Sequence, residues 1–246
     1  MIPLSDDVPT ERTPAVTLLF IAANVLAFLW QVDVLALPDA LASGQLMEYV
    51  AGRLGDTALR GGVVPFEILT FSDVYPRDLV PPPLTVFTAM FLHGGLVHVG
   101  SNMLFLWIFG NNVEDALGRG RFVLFYLACG VVAAVVQVVA SAATGELEVP
   151  MVGASGAIAG VLAAYMVLFP RARVTTLVII VIFIRVIPVP AAFFIGLWFL
   201  LQVLSIFFGG NTGVALFAHV GGFVAGWLLV RLMGRRPTWR ARRVSW

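Results

Sequence analysis

The hydrophobic positions of this chain fall into long apolar runs separated by short polar stretches. A helix that crosses a bilayer needs about 20 mainly apolar residues. Six runs meet or approach that length, at 14–32, 98–116, 121–143, 153–169, 191–208 and 214–233. A seventh apolar run, Leu177–Ile187, is too short to span and is closed by Pro188 and Pro190, so we expect an interfacial or re-entrant piece there. The pattern predicts an all-α polytopic membrane protein with six transmembrane helices.

Composition leads to the same class of protein. The 246 residues are 60% hydrophobic and only 12% charged, with a mean hydropathy of +0.96, whereas soluble domains are about 25% charged. The formal net charge is +1, and no concentrated basic face is present, which argues against nucleic acid as a partner. Cys129 is the only cysteine, so no disulfide framework exists within the chain. The lipid bilayer is therefore the first partner that the sequence predicts.

The arginines orient the predicted helices, because Lys and Arg collect in cytoplasmic loops. With the N-terminus inside, two short loops that carry arginines also lie inside. These arginines are Arg119, Arg121, Arg171 and Arg173. We expect a cytoplasmic N-terminal segment (1–13), one membrane domain (14–233) and a basic cytoplasmic tail (234–246). Both termini are then cytoplasmic, and the first helix is retained because no basic n-region or clear cleavage site accompanies it.

The segment 33–84 forms the first outer loop in this topology. Loops longer than about 12–15 residues are usually functional or disordered. This one contains proline, glycine and scattered charges, but also the apolar patches PFEIL and LVPPPL. We therefore expect it to fold onto the membrane surface beside the helix ends.

Four polar residues lie at the same depth in three different predicted helices. The second, fourth and sixth spans all run from outside to inside. His98 and Asn102 lie in the first turns of the second span, Ser155 begins the fourth, and His219 lies about a turn and a half into the sixth. At about 1.5 Å per residue all four fall within roughly 10 Å of the outer boundary. One hydroxyl, two imidazoles and a carboxamide are thus predicted to meet there.

This set of groups is typical of nucleophilic catalysis. A serine becomes a nucleophile when an adjacent base takes its proton, and His219 is the only histidine in the sixth span. Ser155 begins a helix, where unpaired N–H groups and the helix dipole favour an oxyanion. Asn102 is a candidate side-chain donor to the same oxyanion. The alternatives are a Ser155 hydroxyl that only bonds a helix carbonyl and an Asn102 that only links two helices.

Small residues provide a way for the fourth and sixth spans to approach each other. His219, Gly222 and Gly226 share one helix face, and Gly156 and Gly160 accompany Ser155. Small residues at this spacing permit close backbone contact, which would bring the imidazole within reach of the hydroxyl. Ordinary helix packing is the alternative explanation of these glycines.

Three amides stand alone within apolar runs. They are Asn24, Gln137 and Gln202. Polar side chains in membrane helices form hydrogen bonds across helices. We interpret all three as interhelical hydrogen-bonding residues.

The three histidines, His93, His98 and His219, also raise the question of a metal. Zinc sites use three or four converging ligands, often including carboxylates or thiolates, and no such residue lies at the outer depth of any predicted helix. A proton or ion transporter would carry acidic residues near the midplane, whereas Glu114 lies at the inner end of the second span, near Arg119. We expect no metal and no cofactor.

Several motifs together resemble those of the rhomboid intramembrane serine proteases. They are HGGLVHVGSN, GNNVEDALG, GASG and AHVGGFVAG, in the family's order, and the similarity extends over nearly the whole of 14–233. The resemblance implies a rhomboid-like six-helix bundle whose first outer loop is partly embedded in the membrane. It also implies a Ser155–His219 dyad without an acidic third member and an oxyanion hole formed by Asn102, His98 and the Ser155 N–H. The glycines expected to pack the helices are Gly153, Gly156, Gly160, Gly222 and Gly226.

The chain departs from the family pattern at three places. Many members have a Trp-Arg pair where this chain has Leu84 and Thr85, and an arginine where it has Ala116. Some have an aromatic residue four positions after the serine, where this chain has Ala159. These differences leave open how the first outer loop is anchored and what orients His219.

The resulting hypothesis is a serine endopeptidase of a bacterial inner membrane. We expect it to cleave transmembrane segments of other membrane proteins near the outer membrane face, without a cofactor. The alternative is a non-proteolytic membrane-protein binder or chaperone with the same fold. The sequence does not indicate an oligomeric state.

Overall fold

The computed structural model describes residues 1–72, 79–180, 183–208 and 215–233, with only the backbone at 180 and 183. The predicted tail, 234–246, lies outside the described residues. The described residues form eleven α-helices and three strands. The helices are α1 (Ala15–Gln31), α2 (Leu37–Ala42), α3 (Leu46–Gly61), α4 (Pro65–Thr70), α5 (Thr85–Thr88), α6 (Leu96–Phe105), α7 (Asn111–Leu117), α8 (Arg119–Thr144), α9 (Ser155–Leu168), α10 (Ala191–Phe208) and α11 (Leu216–Met233); the strands are β1 (Ile2–Asp6), β2 (Arg173–Ile180) and β3 (Phe183–Pro190).

Helices occupy all six predicted spans. In the described part of the chain, α8, α10 and α11 are long and apolar enough to cross a membrane, and the bent segment Pro82–Phe91 plus Leu96–Leu117 would be a fourth span. One π-helical turn, Leu106–Gly110, joins α6 to α7. The apolar helices α1 and α9 are shorter, at 17 and 14 residues. The protein is therefore a mostly helical, multi-pass membrane protein, and the count of six spans stays a prediction.

A three-stranded antiparallel sheet corrects the all-α prediction. The strands lie in the order β1-β2-β3, with Ile2 opposite Leu177 and Val174 opposite Val189. The described residues of the run Leu177–Ile187 thus lie in the antiparallel pair of β2 and β3, whereas the sequence predicts an interfacial or re-entrant piece there. Val and Ile favour strands, and Pro188 is tolerated because β3 is an edge strand.

Helix α9 lies at the centre of the bundle and packs against α8 and α11, which also pack against each other. Every residue from Gly156 to Tyr165 is buried. Six of these ten residues are glycine or alanine, which lets neighbouring helices approach α9 from several directions. The first residue of this buried helix is Ser155, so the core of the protein holds the serine in place.

The first outer loop contains three helices, α2 to α4, and packs against the segment that precedes Ser155. Val63 and Met151 exchange backbone hydrogen bonds of 2.9 and 2.8 Å, and the Phe66 N–H donates to Leu147 O at 2.9 Å. The Thr88 hydroxyl donates to Gly61 O at 2.6 Å. Residues 73–78 of the loop lie outside the described residues. The described part of the loop is therefore tied to the segment that leads into Ser155.

Polar contacts close the opposite end of the bundle. Glu114 is buried and accepts hydrogen bonds from the Val16 and Thr17 N–H groups at 3.0 and 2.7 Å, which caps the N-terminus of α1. Asp6 of β1 accepts from Asn112 of α7 and, at 2.6 Å, from the Tyr165 hydroxyl of α9. The N-terminal strand is thereby tied to the end of α9 that lies away from Ser155.

The environment of Asp6 predicts a pH-dependent stability. Burial raises the pKa of Asp6 to about 6, against the opposing effect of the Tyr165 hydrogen bond. Since the folded-state pKa lies above the unfolded value near 3.8, this contribution to stability is complete below that value and is lost as the pH rises through about 6. Asp6→Asn keeps an oxygen acceptor but does not titrate. We expect the melting temperature of the wild type, minus that of Asp6→Asn, to fall as the pH rises through this range.

Thermal unfolding in detergent at several pH values measures this difference. Asp39→Asn, which changes an exposed carboxylate in α2, is the matched control for the substitution itself. A difference between wild type and Asp6→Asn that is constant across the range would contradict the prediction.

Candidate active site

Ser155 and His219 lie within hydrogen-bonding distance of each other. The Ser155 Oγ is 2.7 Å from the His219 Nε2. Ser155 is partly exposed at the first residue of α9, and His219 lies in the first turn of α11, where it is only 7% exposed. A hydroxyl and an imidazole held in this way have the geometry of a nucleophile and its general base.

Helices α9 and α11 meet through glycines. A Cβ atom on Gly222 would overlap the carbonyl oxygen of Gly156, and one on Gly226 would overlap that of Gly160. On another side of α9, a Cβ on Gly160 would lie 2.5 Å from the Cys129 Sγ. The backbones of α9 and α11 are therefore in direct contact one turn below the Ser155–His219 pair, and any larger residue would separate them.

Gly153 makes room for a second imidazole beside Ser155. Its φ of +126° is unfavourable for other residues, and a Cβ there would lie 2.8 Å from the His98 Nε2. The His98 Nδ1 accepts the Gly94 N–H at 3.3 Å. In a neutral ring the proton then resides on Nε2, so His98 presents an N–H donor on the side of Ser155.

Asn102 lies one helical turn after His98 in α6. Its side chain is buried, 6% exposed, and its Nδ2 has no hydrogen-bond partner among the described residues. Buried donors without a partner are uncommon in native proteins. An amide N–H left free at the edge of a cavity is available to a bound oxygen atom.

These groups line one cavity of about 500 Å³. Its lining includes His98, Asn102, Phe105, Ser155, Trp198 and His219. The wall thus combines apolar rings with a few convergent polar atoms, as substrate sites do. The volume of the cavity lies within the range of ligand-binding cavities.

His219 has a second polar partner that the sequence analysis did not assign. The Gln202 Oε1 of α10 lies 2.8 Å from the His219 Nδ1, and the Trp198 ring lies beside the imidazole at 5.7 Å between centroids. The sequence predicts for Gln202 only an interhelical hydrogen bond. Its partner could not be predicted, because the sequence does not show which face of α10 packs against α11.

The other two isolated amides differ in their partners. Gln137 does bridge helices, since its Oε1 accepts the Ala218 N–H of α11 at 3.2 Å. Asn24 instead donates to Phe20 O of its own helix at 2.7 Å, which corrects its interpretation as an interhelical residue. A short amide can reach the carbonyl four residues earlier, so proximity within the helix decided this case.

His93 lies in the segment before α6, with its ring 5.0 Å from that of His98 in an edge-to-face arrangement. The backbone N–H of His93 donates to the Gln31 Oε1 at 2.8 Å, so α1 holds this segment in place. Among the described residues no three His, Cys, Asp or Glu side chains form a group that could hold a metal ion. His93 therefore packs against His98 and does not belong to the lining of the cavity that holds Ser155.

The model of the Rhomboid domain matches residues 83–236, more than half of the chain. The chain belongs to the rhomboid family. The resemblance noted in the sequence is thereby confirmed, and the matched region includes α5 to α11 and every candidate site residue.

Curated rhomboid relatives match parts of the chain. The mitochondrial presenilin-associated rhomboid-like protein A of Danio rerio is 34% identical over 58% of this chain and 32% of its own length. The rhomboid protease GluP of Bacillus subtilis is 32% identical over 61% of this chain and 26% of its own length. The mitochondrial Rhomboid protein 1 of Saccharomyces cerevisiae is 30% identical over 61% of this chain and 42% of its own length. The chain thus spans less than half the length of each of these relatives.

At two places where this rhomboid departs from the family pattern, the structure shows which neighbouring residue lies beside Glu114 or His219. Ala116 stands in place of an arginine, but the Arg119 Nε lies 3.9 Å from the Glu114 Oε1. Ala159 stands in place of an aromatic residue, and the ring beside His219 comes instead from Trp198 of α10. The orientation of His219 therefore depends on α10 in this chain.

Proposed function

We propose that this protein is an intramembrane serine endopeptidase that cleaves transmembrane segments of other membrane proteins. The observation that carries the proposal is the 2.7 Å approach of the Ser155 Oγ to the His219 Nε2, at the wall of a cavity large enough for a peptide segment. Membership of a family that includes a named protease supports the same activity. No cofactor is needed for this chemistry.

The reaction follows from the positions of the side chains. The Ser155 Oγ attacks the substrate carbonyl carbon while the His219 Nε2 takes its proton. The negative oxygen of the tetrahedral intermediate accepts hydrogen bonds from the Asn102 Nδ2, the His98 Nε2 and the N–H of Ser155, which as the first residue of α9 lacks an intrahelical partner. The C–N bond then breaks, and His219 gives its proton to the leaving amine. Water, activated by His219, hydrolyses the acyl-enzyme.

The substrate must be locally unwound at the cleaved bond. Carbonyl groups within a helix are hydrogen-bonded and shielded by side chains, so Ser155 cannot attack them directly. Glycine or proline near the cleaved bond weakens the helix and lowers this cost. We therefore propose single-span membrane proteins with helix-weakening residues near one membrane face as substrates.

The proposed orientation in the membrane depends on which chain segments lie at the same end of the helix bundle. Strand β1 pairs with β2, and Arg119 donates to Thr13 O at 3.3 Å, so the N-terminus lies at the bundle end opposite Ser155. Arg171 and Arg173 follow α9 at that same end, and the positive-inside rule makes it cytoplasmic. We propose that Ser155 lies toward the outer face of a bacterial cell membrane; the relatives that match the chain include both bacterial and mitochondrial proteins.

Labelling with a fluorophosphonate probe tests the proposal. The purified protein in detergent is expected to react at Ser155, and the probe-modified peptide is identified by mass spectrometry. His219→Ala is expected to lose the labelling, because the hydroxyl then has no base. A wild-type protein that binds a reconstituted transmembrane substrate but neither labels nor cleaves would favour the non-proteolytic binder.

Asn102→Ala is expected to slow cleavage without abolishing it. Removing one oxyanion donor costs about 100- to 1000-fold in kcat, and the His98 and backbone donors remain in this variant. KM and the melting temperature are expected to change little, since the Nδ2 has no partner to lose. Initial rates on a transmembrane substrate in proteoliposomes provide the measurement.

Asn24→Ala is the matched control, because it removes a carboxamide that bonds only its own helix. Its kcat is expected to equal that of the wild type. An Asn102→Ala protein with wild-type kcat and a lowered melting temperature would make Asn102 a packing residue.

A further inference from the structure

Gln202 is a polar residue at an unusual position in α10. The helix is otherwise apolar except for Ser205, and its buried side chains are confined to its first turns, at Ala191, Phe194 and Ile195. Gln202 lies beyond them and is only partly buried. Packing of the core does not require an amide there, yet its Oε1 lies 2.8 Å from the His219 Nδ1.

This contact determines where the imidazole carries its proton. An amide oxygen can only accept a hydrogen bond, so the Nδ1 of His219 must be the donor. The neutral ring then has its lone pair on Nε2, which lies 2.7 Å from the Ser155 Oγ. That is the tautomer in which the ring accepts the proton of Ser155. The opposite tautomer would point an N–H at the hydroxyl and leave no base.

The surroundings of His219 offer few other groups that could fix the ring. The titratable side chains that line the cavity besides His219 are His98 of α6 and Glu146 of the segment after α8. Ser155 of α9 lies on the Nε2 side, and the Trp198 ring of α10 lies beside the imidazole, tilted to it, with 5.7 Å between the ring centroids. Gln202 is therefore the group that the structure places on the Nδ1 side.

We propose that Gln202 is a positioning residue for the reaction, which holds His219 in the tautomer and orientation that accept the Ser155 proton. This proposal rests on the proposed protease function. Gln202 occupies the place of a third member of the catalytic group, but as a neutral acceptor in place of a carboxylate. It orients the ring through its oxygen, and it does not contribute a negative charge to stabilise the imidazolium.

Two substitutions at Gln202 distinguish a role in orienting His219 from a role in helix packing. Gln202→Met keeps the length of the side chain but removes the acceptor, and Gln202→Glu keeps an acceptor but adds a charge. Leu201→Met, at an exposed neighbouring position of α10, is the matched control. The measurements are kcat and KM over a range of pH in proteoliposomes, the melting temperature, and ¹⁵N NMR of histidine-labelled protein, with the His219 signals assigned by their loss in His219→Ala.

We expect Gln202→Met to lower kcat by about 10- to 100-fold, the range found when the group that orients a metal-binding histidine is removed. Its KM and melting temperature should match those of Leu201→Met, and its ¹⁵N signals should show loss of the Nδ1–H tautomer. Gln202→Glu should restore much of kcat. The acid limb of its pH profile should move to higher pH, because a carboxylate stabilises the imidazolium, which is inactive as a base.

Two results would overturn the proposal. One is a Gln202→Met protein with wild-type kcat and an unchanged His219 tautomer. The other is an equal loss of kcat in both variants with a lowered melting temperature and no shift of the acid limb, which would make Gln202 a packing residue. Failure of the protease function itself is distinguishable, because the wild-type protein would then not react with the fluorophosphonate probe.

Discussion

Ser155→Ala and His219→Ala are each expected to abolish cleavage of a reconstituted transmembrane substrate. The two side chains are 2.7 Å apart and act as one chemical unit, so removing either costs nearly as much as removing both. We expect kcat to fall by a factor on the order of 10⁴ to 10⁶ for each variant, as in other serine–histidine enzymes. The loss of kcat is measured by gel-based detection of the cleavage product, with the purified and folded variant reconstituted in proteoliposomes.

The double variant and a control complete this test. Ser155→Ala combined with His219→Ala should be no slower than either single variant, because the unit is already lost. Ser205→Ala removes a hydroxyl of α10 that bonds only Leu201 O of the same helix, and it should cleave at the wild-type rate. Product formation by either single variant at a tenth of the wild-type rate or more would exclude the two residues as nucleophile and base.

The positions of the helices were largely predictable from the sequence, because apolar length is a local property. The predicted run 191–208 coincides with α10, and the run 121–143 lies within α8. The common depth of Ser155 and His219 could also be predicted, from the rise per residue and the direction of each helix alone. Residues 64 positions apart were thus expected near the same membrane face without any knowledge of the packing.

The sheet was not predictable by the same reasoning. Strand β1 pairs with β2 across more than 160 residues of sequence, and an acidic N-terminal segment carries no local signal for such a partner. The hydrophobicity of the run Leu177–Ile187 is as compatible with a membrane-embedded segment as with a strand. Its Val and Ile content favours a strand, but short apolar runs do not distinguish the two states by periodicity.

The partner of His219 was unpredictable for a related reason. The lone Gln202 in an apolar helix indicated a hydrogen bond to another helix, which the structure contains. Which helix it meets depends on how α10 crosses α11, and this is set by packing contacts such as the stacked rings of Phe199 and Phe223, 4.2 Å apart. The sequence thus identified the residue but not its contact.

Gly222→Ala is expected to lower both activity and stability, although no reacting atom changes. A Cβ at this position would overlap the Gly156 carbonyl oxygen, which belongs to the backbone of α9 and cannot rotate away. Helix α11 must therefore move from α9, and the His219 imidazole, less than one turn earlier in α11, moves with it. Overpacking of this kind typically costs about 1–3 kcal/mol of stability, and a displacement of about 1 Å in the site can cost on the order of 100-fold in rate.

The comparison with Gly196→Ala separates this steric effect from the general effect of replacing a glycine in a helix. Gly196 lies within α10, and a Cβ there would have no heavy atom within 4 Å. Alanine is also the better helix former, so Gly196→Ala should melt at the wild-type temperature or slightly above it and cleave normally. Gly222→Ala should melt lower and cleave more slowly, whereas Ser155→Ala should lose activity alone. If Gly222→Ala matched Gly196→Ala in both melting temperature and kcat, the backbone contact between α9 and α11 would not be what brings His219 to Ser155.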